Sequence, residues 1–450
     1  MDAGMDFAGI CSSLAAGGYS VVLRGFSALD RYLGLPALPF LWIETNADIA
    51  ILARFVENLR FPGVEVADGA VDIPNGIYPN GTSSNETRFN GTCYFRCLDS
   101  LDRGEWKETD VSFPLLSFGY DWQTRCFQDP LGVYPLARNL LQKNRQELRD
   151  KRSPPAQGED FSAPSWENLI AINEASLEAG GSSIGWYRMI MDGALLLARY
   201  DLGSEVSHVS AVFTRASGNC PSGPLPGPEL QRVFLSCLMV SSRPDRGLEF
   251  LKRSGFLDQL WPELGCYDKV DHSKEFHPEG NVWNHTLETF RHRKPGGNGA
   301  FDLCLSLGLL LHDVGKPISA ANGNHRFDGH AELGARAAAR FLERLEFEPA
   351  LIQDIFYLVK NHMLPAALKR LPLTRTAEIM ASSLFPTLME LYRCDESSSF
   401  KGLDGYYENS AAYQTYLRNV RNPYRSADGK KIGKNAITGT LRRGFEPKVR

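Results

Sequence analysis

Nine histidines are distributed very unevenly along 450 residues: apart from His208, all of them fall between positions 272 and 362. His285, the adjacent pair His312-Asp313, His330, His362 and Asp395 form an ordered set of metal-ligand types spaced 27, 17, 32 and 33 residues apart. Each lies in or beside a segment with apolar residues at three-and-four spacing: Val282–Arg293, Leu303–Leu311, Ala331–Leu345, Ala350–Asn361 and Ala377–Cys394. Several helices facing one axis can present such side chains inward, and imidazole with carboxylate suits divalent transition metals.

An adjacent His-Asp pair cannot place both side chains on one helical face. At a helix end the aspartate can instead bridge two metals about 3.5–4 Å apart, which would activate water and neutralise a phosphoryl oxygen. Lys316, three residues past Asp313, is placed to reach a phosphate as a point charge. The expected metal ligands are therefore His285, His312, Asp313, His330, His362 and Asp395, with Asp313 and Lys316 as catalytic groups. One or two divalent ions are expected, drawn from Fe, Mn, Co, Ni, Zn or Mg. Isolated histidines are more often surface or core residues, and His208, His272, His277 and His292 take that reading.

Composition narrows the partners. Lys and Arg total 49 against 53 Asp and Glu, so the net charge of −4 gives no bulk attraction to nucleic acid or membrane. The first residues, Met-Asp-Ala-Gly-Met-Asp, are acidic where a secretory signal needs a basic start. No run of about 18 uncharged apolar residues is available to span a bilayer. Nine scattered cysteines read as reduced thiols of a cytoplasmic protein, which makes the sequons at Asn80, Asn85, Asn90 and Asn284 coincidental.

Short apolar runs at Ser20–Leu23 and Pro39–Glu44 predict strands, and Ala28–Leu33 and Asp48–Leu59 predict helices. Asp72–Thr92, rich in Asn, Gly, Ser and Thr, reads as an exposed loop. Helical spacing follows in Trp166–Ala179, Tyr187–Tyr200 and Pro228–Ser241, with a proline-bearing loop at Ala216–Gly227. The last fifty residues carry 11 basic and 4 acidic side chains with little apolar periodicity. Arg418, Arg421, Arg425, Lys430, Lys431, Arg442 and Arg443 form either a solvated face or a phosphate clamp, for which Tyr406, Tyr407, Tyr413, Tyr416 and Tyr424 could supply stacking partners. Cys93 and Cys97 have no second thiol pair and do not read as a zinc site.

His277-Pro-Glu-Gly-Asn-Val-Trp-Asn-His285, Leu311-His-Asp-Val-Gly-Lys-Pro317 and Arg326-Phe-Asp-Gly-His330 resemble, in this order, the HD domain of bacterial tRNA nucleotidyltransferases (CCA-adding enzymes) and poly(A) polymerases. Ser242–Leu257, followed by Trp261-Pro-Glu-Leu264, resembles the neck before that domain. The resemblance implies an α+β chain with a polymerase-β-like head of mixed sheet and helices at 1–155, a helical neck at 156–270, an all-α HD domain at 271–400 and a basic extension at 401–450. It further implies that four ligands, His285, His312, Asp313 and Asp395, suffice for one metal, with His330 and His362 completing a second position.

The head departs from the family pattern. Gly25 matches the first glycine of the phosphate-cradling turn, but Phe26 fills the second. The Asp-x-Asp pair aligns with Phe40 and Trp42, and the later catalytic aspartate and asparagine align with Ser112 and Leu116. Gln128-Asp-Pro-Leu-Gly132 keeps the family's turn. The expectation is therefore a metal-dependent phosphohydrolase (phosphodiesterase or phosphatase) acting through the HD domain, with a nucleotide or RNA substrate, tRNA among them, and an inactive head. No membrane partner is expected, and protein partners are left open. Two rivals stand beside it: an active tRNA nucleotidyltransferase using ATP or CTP, with Glu44, Asp48, Asp72 or Asp110 as displaced carboxylates, and a non-catalytic RNA-binding or regulatory protein.

Overall fold

The computed structural model describes residues 7–47, 51–52, 65–67, 70–73, 92–97, 113–130, 132, 134, 137–138, 183–200, 225–271, 280–294, 299–323, 326–399, 402–422 and 424–431. The chain divides into two compact units, Met1–Leu260 and Trp261–Arg450. Its class is α+β: a mixed sheet with helices, followed by an all-helical region.

The first unit runs α1 (Phe7–Ala16), β1 (Val21–Arg24), α2 (Phe26–Leu33), β2 (Phe40–Thr45), β3 (Glu65–Ala67), β4 (Ala70–Ile73), β5 (Thr92–Cys97), β6 (Gly119–Asp121) and β7 (Phe127–Gln128). The helices α3 (Ser183–Tyr200), α4 (Pro228–Val240), α5 (Pro244–Arg253) and α6 (Phe256–Leu260) complete it. The sheet order is β3-β4-β5-β2-β1-β6-β7, with β2 and β5 parallel and the other pairs antiparallel. Alternation sorts the faces: Val21, Leu23, Leu41, Ile43 and Tyr120 are buried on one side, while Val22, Trp42 and Asp121 on the other remain half-buried. Between β1 and α2 the chain turns through Gly25, whose φ of 56° lies in the left-handed region that favours glycine.

A buried polar knot ties α2 to α3. Arg199 grips Asp30 through two contacts of 3.1 Å, and the Tyr200 hydroxyl donates to Asp30 Oδ1 at 3.1 Å. The expected loop from Asp72 to Thr92 is shorter than its composition implied. Asp72 and Ile73 end β4 and Thr92 opens β5, because both flanks pair with strands that the sequence gives no sign of. The helices expected at 48–59 and 166–179, most of the loop at 216–227, and His208, His272 and His277 lie largely or wholly outside the described residues.

The second unit contains α7 (Pro262–Gly265), α8 (Val282–Arg291), α9 (Gly299–Leu311), α10 (Gly315–Ala321), α11 (His330–Arg344), α12 (Pro349–Asn361), α13 (Leu373–Met380), α14 (Phe385–Ser397) and α15 (Asp404–Arg421). Asn281 caps α8 by accepting from Asn284 N at 2.9 Å. The apolar helix α9 is the hub. Leu305, Leu307, Leu309, Leu310 and Leu311 are fully buried, and it packs on α8, α12 and α14.

Two expectations about this unit needed correction. The single helix expected over 377–394 is two, α13 and α14, with Pro386 in the first turn of the second, where its missing N–H is harmless. The tail expected to lack apolar periodicity forms α15 over its first half. Tyr413 and Tyr416 supply the buried face, and Tyr413 lies 4.5 Å from the Phe385 ring. Among the described residues, no helix is long and apolar enough to cross a membrane.

Candidate metal centre

Five helices of the second unit deliver six side chains to one buried place. His285 lies one turn into α8; His312 and Asp313 follow the last residue of α9; His330 opens α11; His362 follows α12; and Asp395 lies in the last turn of α14. Two groups result, each with its donor atoms within 4.8 Å of one another: His285, His312 and Asp395, and Asp313, His330 and His362.

Asp313 sits between the groups. Its Oδ2 lies 3.3 Å from His312 Nε2 and 3.9 Å from His285 Nε2, while Oδ1 lies 3.5 Å from His330 Nε2 and 3.9 Å from His362 Nε2. One carboxylate oxygen thus faces each group. Asp395 Oδ1 lies 3.0 Å from His285 Nε2, and Asp395 is the most exposed donor, with 24% side-chain exposure. Lys316, read from the sequence as a phosphate contact, directs Nζ to Asp313 Oδ2 at 2.7 Å.

The histidines are aimed from behind. Nδ1 of His312, His330 and His362 faces the carbonyl three residues upstream, that of Leu309, Phe327 and Val359, at 2.8, 2.8 and 2.7 Å. A carbonyl only accepts, so each of these rings carries its proton on Nδ1 and turns a lone pair on Nε2 toward the cluster. The Nε2 atoms then meet in pairs, His285 with His312 at 3.3 Å and His330 with His362 at 3.1 Å. Between His330 and His362 both lone pairs face each other and repel unless a cation lies between them. Donors sharing one tetrahedral cation stand about 3.3 Å apart, so this donor set fits one or two divalent ions.

Burial and charge act on the same groups. Burial alone would raise the Asp313 carboxyl, but the Lys316 ammonium and the histidines at 312 and 285 hold it well below the usual carboxylate range. Asp395 is likewise lowered: burial opposes, and the hydrogen bond from His285 outweighs it. Burial, with His312 beside it, pushes His362 down to about 3, and burial lowers His330 as well. Neutral histidines and ionised carboxylates are the forms that bind metal.

Two features were missed in the sequence. Gly315, within His-Asp-Val-Gly-Lys-Pro, allows α10 to touch the start of α11: a Cβ there would lie 2.0 Å from His330 O and 2.7 Å from Gly334 N. Ser398, three residues past Asp395, places Oγ 3.2 Å from His285 Nδ1. Nothing local in the sequence marks a serine in a Ser-Ser-Ser run as the partner of a residue 113 positions away.

In the first unit, β2 carries Phe40, Trp42 and Glu44 at alternate positions. Trp42 lies under the Arg188 guanidinium, 4.1 Å from the ring centre. Glu44 is buried and accepts from Arg24 Nε at 2.7 Å. Val22 of β1 stands opposite Glu44 on one side and Asp121 of β6 on the other, so the two carboxylates share one sheet face. Asp72 is in β4, and Asp48 and Asp110 lie outside the described residues.

The family described as HD domain matches residues 282–383. That stretch of the chain is similar to an HD domain, and parts of the chain are similar to CCA-adding tRNA nucleotidyltransferases. The multifunctional CCA protein of Halorhodospira halophila is 35% identical over 128 residues, covering 28% of this chain and 29% of that protein. The CC-adding tRNA nucleotidyltransferase of Thermus thermophilus is 33% identical over 177 residues, covering 38% and 39%. The A-adding tRNA nucleotidyltransferase of Deinococcus radiodurans is 33% identical over 163 residues, covering 34% and 36%. The chain thus matches less than two fifths of the length of each of these relatives. Among solved structures, the complex of a CCA-adding enzyme with ATP aligns over 97% of this chain and 88% of that one, at 12% identity and a TM-score of 0.42.

These relatives overturn the expectation that the chain is a phosphohydrolase with a spent head. Two are named for CC and A addition to tRNA and the third as a multifunctional CCA protein, and none of these names is that of a phosphohydrolase. The physical reason is that a cation-binding donor set specifies a site and not a reaction, and the HD domain is one part of a longer chain.

Proposed function

We propose that this chain is a nucleotidyltransferase of tRNA 3′ ends that uses CTP or ATP, with nucleotide chemistry in the first unit. The single observation that carries the reading is the similarity to CC-adding and A-adding tRNA nucleotidyltransferases at 33% identity. The first unit supports it with a strand–glycine–helix turn at Arg24-Gly25-Phe26, suited to a phosphate at a helix N-terminus. Asp121, half-buried on the Val22 face, is the carboxylate assigned to this head, while Glu44 on the same face is neutralised by Arg24. Asp121 stands in for the pair that Phe40 and Trp42 lack.

In the second unit we assign His285, His312, Asp313, His330, His362 and Asp395 as ligands of one or two divalent cations, with Fe, Mn, Co, Ni and Zn the ions this donor set suits. Bound there, the cation supplies positive charge and fixed coordination. It fixes the ends of α8, α9, α11, α12 and α14 and so contributes to folding. Lys316 holds Asp313 in its ionised form. A cytoplasmic setting accompanies the reading, and the described cysteines at 11, 126, 237, 266, 304 and 394 are all free thiols.

The test is incorporation of labelled CTP and ATP into tRNA transcripts ending at the discriminator base, with magnesium or manganese. Incorporation that falls about 100-fold in Asp121→Asn and stays within about threefold in His312→Ala is expected, since removing a metal-holding carboxylate removes several kcal/mol of transition-state stabilisation. A wild-type protein that binds tRNA but adds no nucleotide overturns it. Phe40 and Trp42, which offer magnesium no oxygen, favour a second reading of that kind: a tRNA-binding protein without turnover.

A further inference from the structure

The four histidines of the cluster are not supported alike. Behind His312, His330 and His362 stands a backbone carbonyl, which accepts and never donates. Behind His285 stands the Ser398 hydroxyl, 3.2 Å from Nδ1 and 2.6 Å from Asp395 O. A hydroxyl both donates and accepts. Three rings are therefore locked with the proton on Nδ1 and the lone pair on Nε2, while His285 has two arrangements open to it.

In the first, Ser398 donates to Asp395 O and accepts from His285 Nδ1–H, which leaves Nε2 as a ligand. In the second, Ser398 rotates to donate to Nδ1, and the ring proton moves to Nε2, where Asp395 Oδ1 accepts it across 3.0 Å. The second arrangement ends the ligand role of His285 and engages one of the lone pairs of Asp395. The net change is the transfer of one proton between the two ring nitrogens, exchanged through water, and the rotation of one hydroxyl.

Exposure points the same way. Asp395 has a side chain 24% exposed, the highest of the six, while its partners His285 and His312 are at 1%, Asp313 and His362 at 2% and His330 at 11%. Water thus has its best access at the Asp395 end.

Resting on the assignment of this cluster as a cation centre, we propose that Ser398 is a positioning residue that supports the ligand form of His285, but less firmly than a carbonyl supports the other three rings, so that the His285–His312–Asp395 position is the exchangeable one. The Asp313–His330–His362 position is the retained one. The chain then holds one cation as part of its fold and takes up or releases a second with supply.

The test uses the full chain stripped with a chelator and titrated with Co(II), read by visible ligand-field absorption and by elemental analysis after desalting. Wild type is expected to take up two equivalents in two phases and to keep only the first through desalting. Ser398→Ala should weaken the second phase by about 10–100-fold and leave the first within about twofold, and Ser398→Thr, which keeps the hydroxyl, should restore the second to within about threefold. Equal weakening of both phases, weakening of neither, or failure of the threonine variant to restore the second overturns the role of Ser398. Two equivalents bound with one affinity overturn the division into exchangeable and retained positions. A wild-type protein that binds no Co(II), Zn(II) or Mn(II) overturns the centre itself, which distinguishes that failure from the others.

Discussion

The two units handle buried carboxylates in opposite ways. On the sheet of the first, Glu44 is met by one permanent cation, the Arg24 guanidinium, at 2.7 Å. In the second, Asp313 has the Lys316 ammonium on one oxygen and the Nε2 atoms of four histidines within 3.9 Å of its two oxygens. An arginine closes the charge balance within the protein, because its guanidinium stays protonated. Histidines with the proton held on Nδ1 add lone pairs rather than charge, and a metal ion bound as proposed would occupy them. The first arrangement stabilises a sheet, and the second creates a demand for a ligand.

The sharpest way to break this comparison is to remove the fixed cation. Arg24→Met removes the guanidinium from buried Glu44, and a loss of about 3–5 kcal/mol is expected for the first unit, read by urea denaturation. Metal uptake by the second unit should be unchanged. Next comes the packing beneath the cluster. In Gly315→Ala the new methyl group meets His330 O, and a loss of about 3 kcal/mol, at the upper end for overpacking, should accompany lost metal binding.

A third effect is acid sensitivity of the chelator-treated protein. The folded-state values of His362 and His330 lie below that of a free histidine. The unfolded chain therefore takes up protons first as the pH falls. The histidine contribution is complete above about pH 6.5 and should decline by about 1.4 kcal/mol per pH unit for each histidine below it, continuing for His362 to about pH 3. Thermal unfolding between pH 7.5 and 5 reads this, and added zinc should flatten the curve. The smallest expected change is Tyr407→Ser, which alters a 63% exposed ring on α15 and should shift stability by less than about 0.5 kcal/mol.

Local pattern explains what was legible. The ends of α9, α11 and α12 were marked in the sequence by apolar spacing running into His312, His330 and His362, because a helix that buries one face must carry that spacing. Asp395 was expected to end its segment and instead lies inside α14, since Pro386, the start signal of that helix, was read as lying within a longer one. The α15 helix was missed because its buried face is built from tyrosines rather than aliphatic residues. Ser398 and the pairing of Val22 with both Glu44 and Asp121 depend on contacts between distant segments, which no local pattern encodes.

The most direct test of the cation centre is a crystal of the metal-loaded full chain measured at the absorption edge of the added metal. Anomalous peaks on either side of the Asp313 carboxylate, within bonding distance of the Nε2 atoms of His285 and His312 and of His330 and His362, are expected. A map without any peak there, from protein grown in saturating zinc or manganese, would contradict the centre outright.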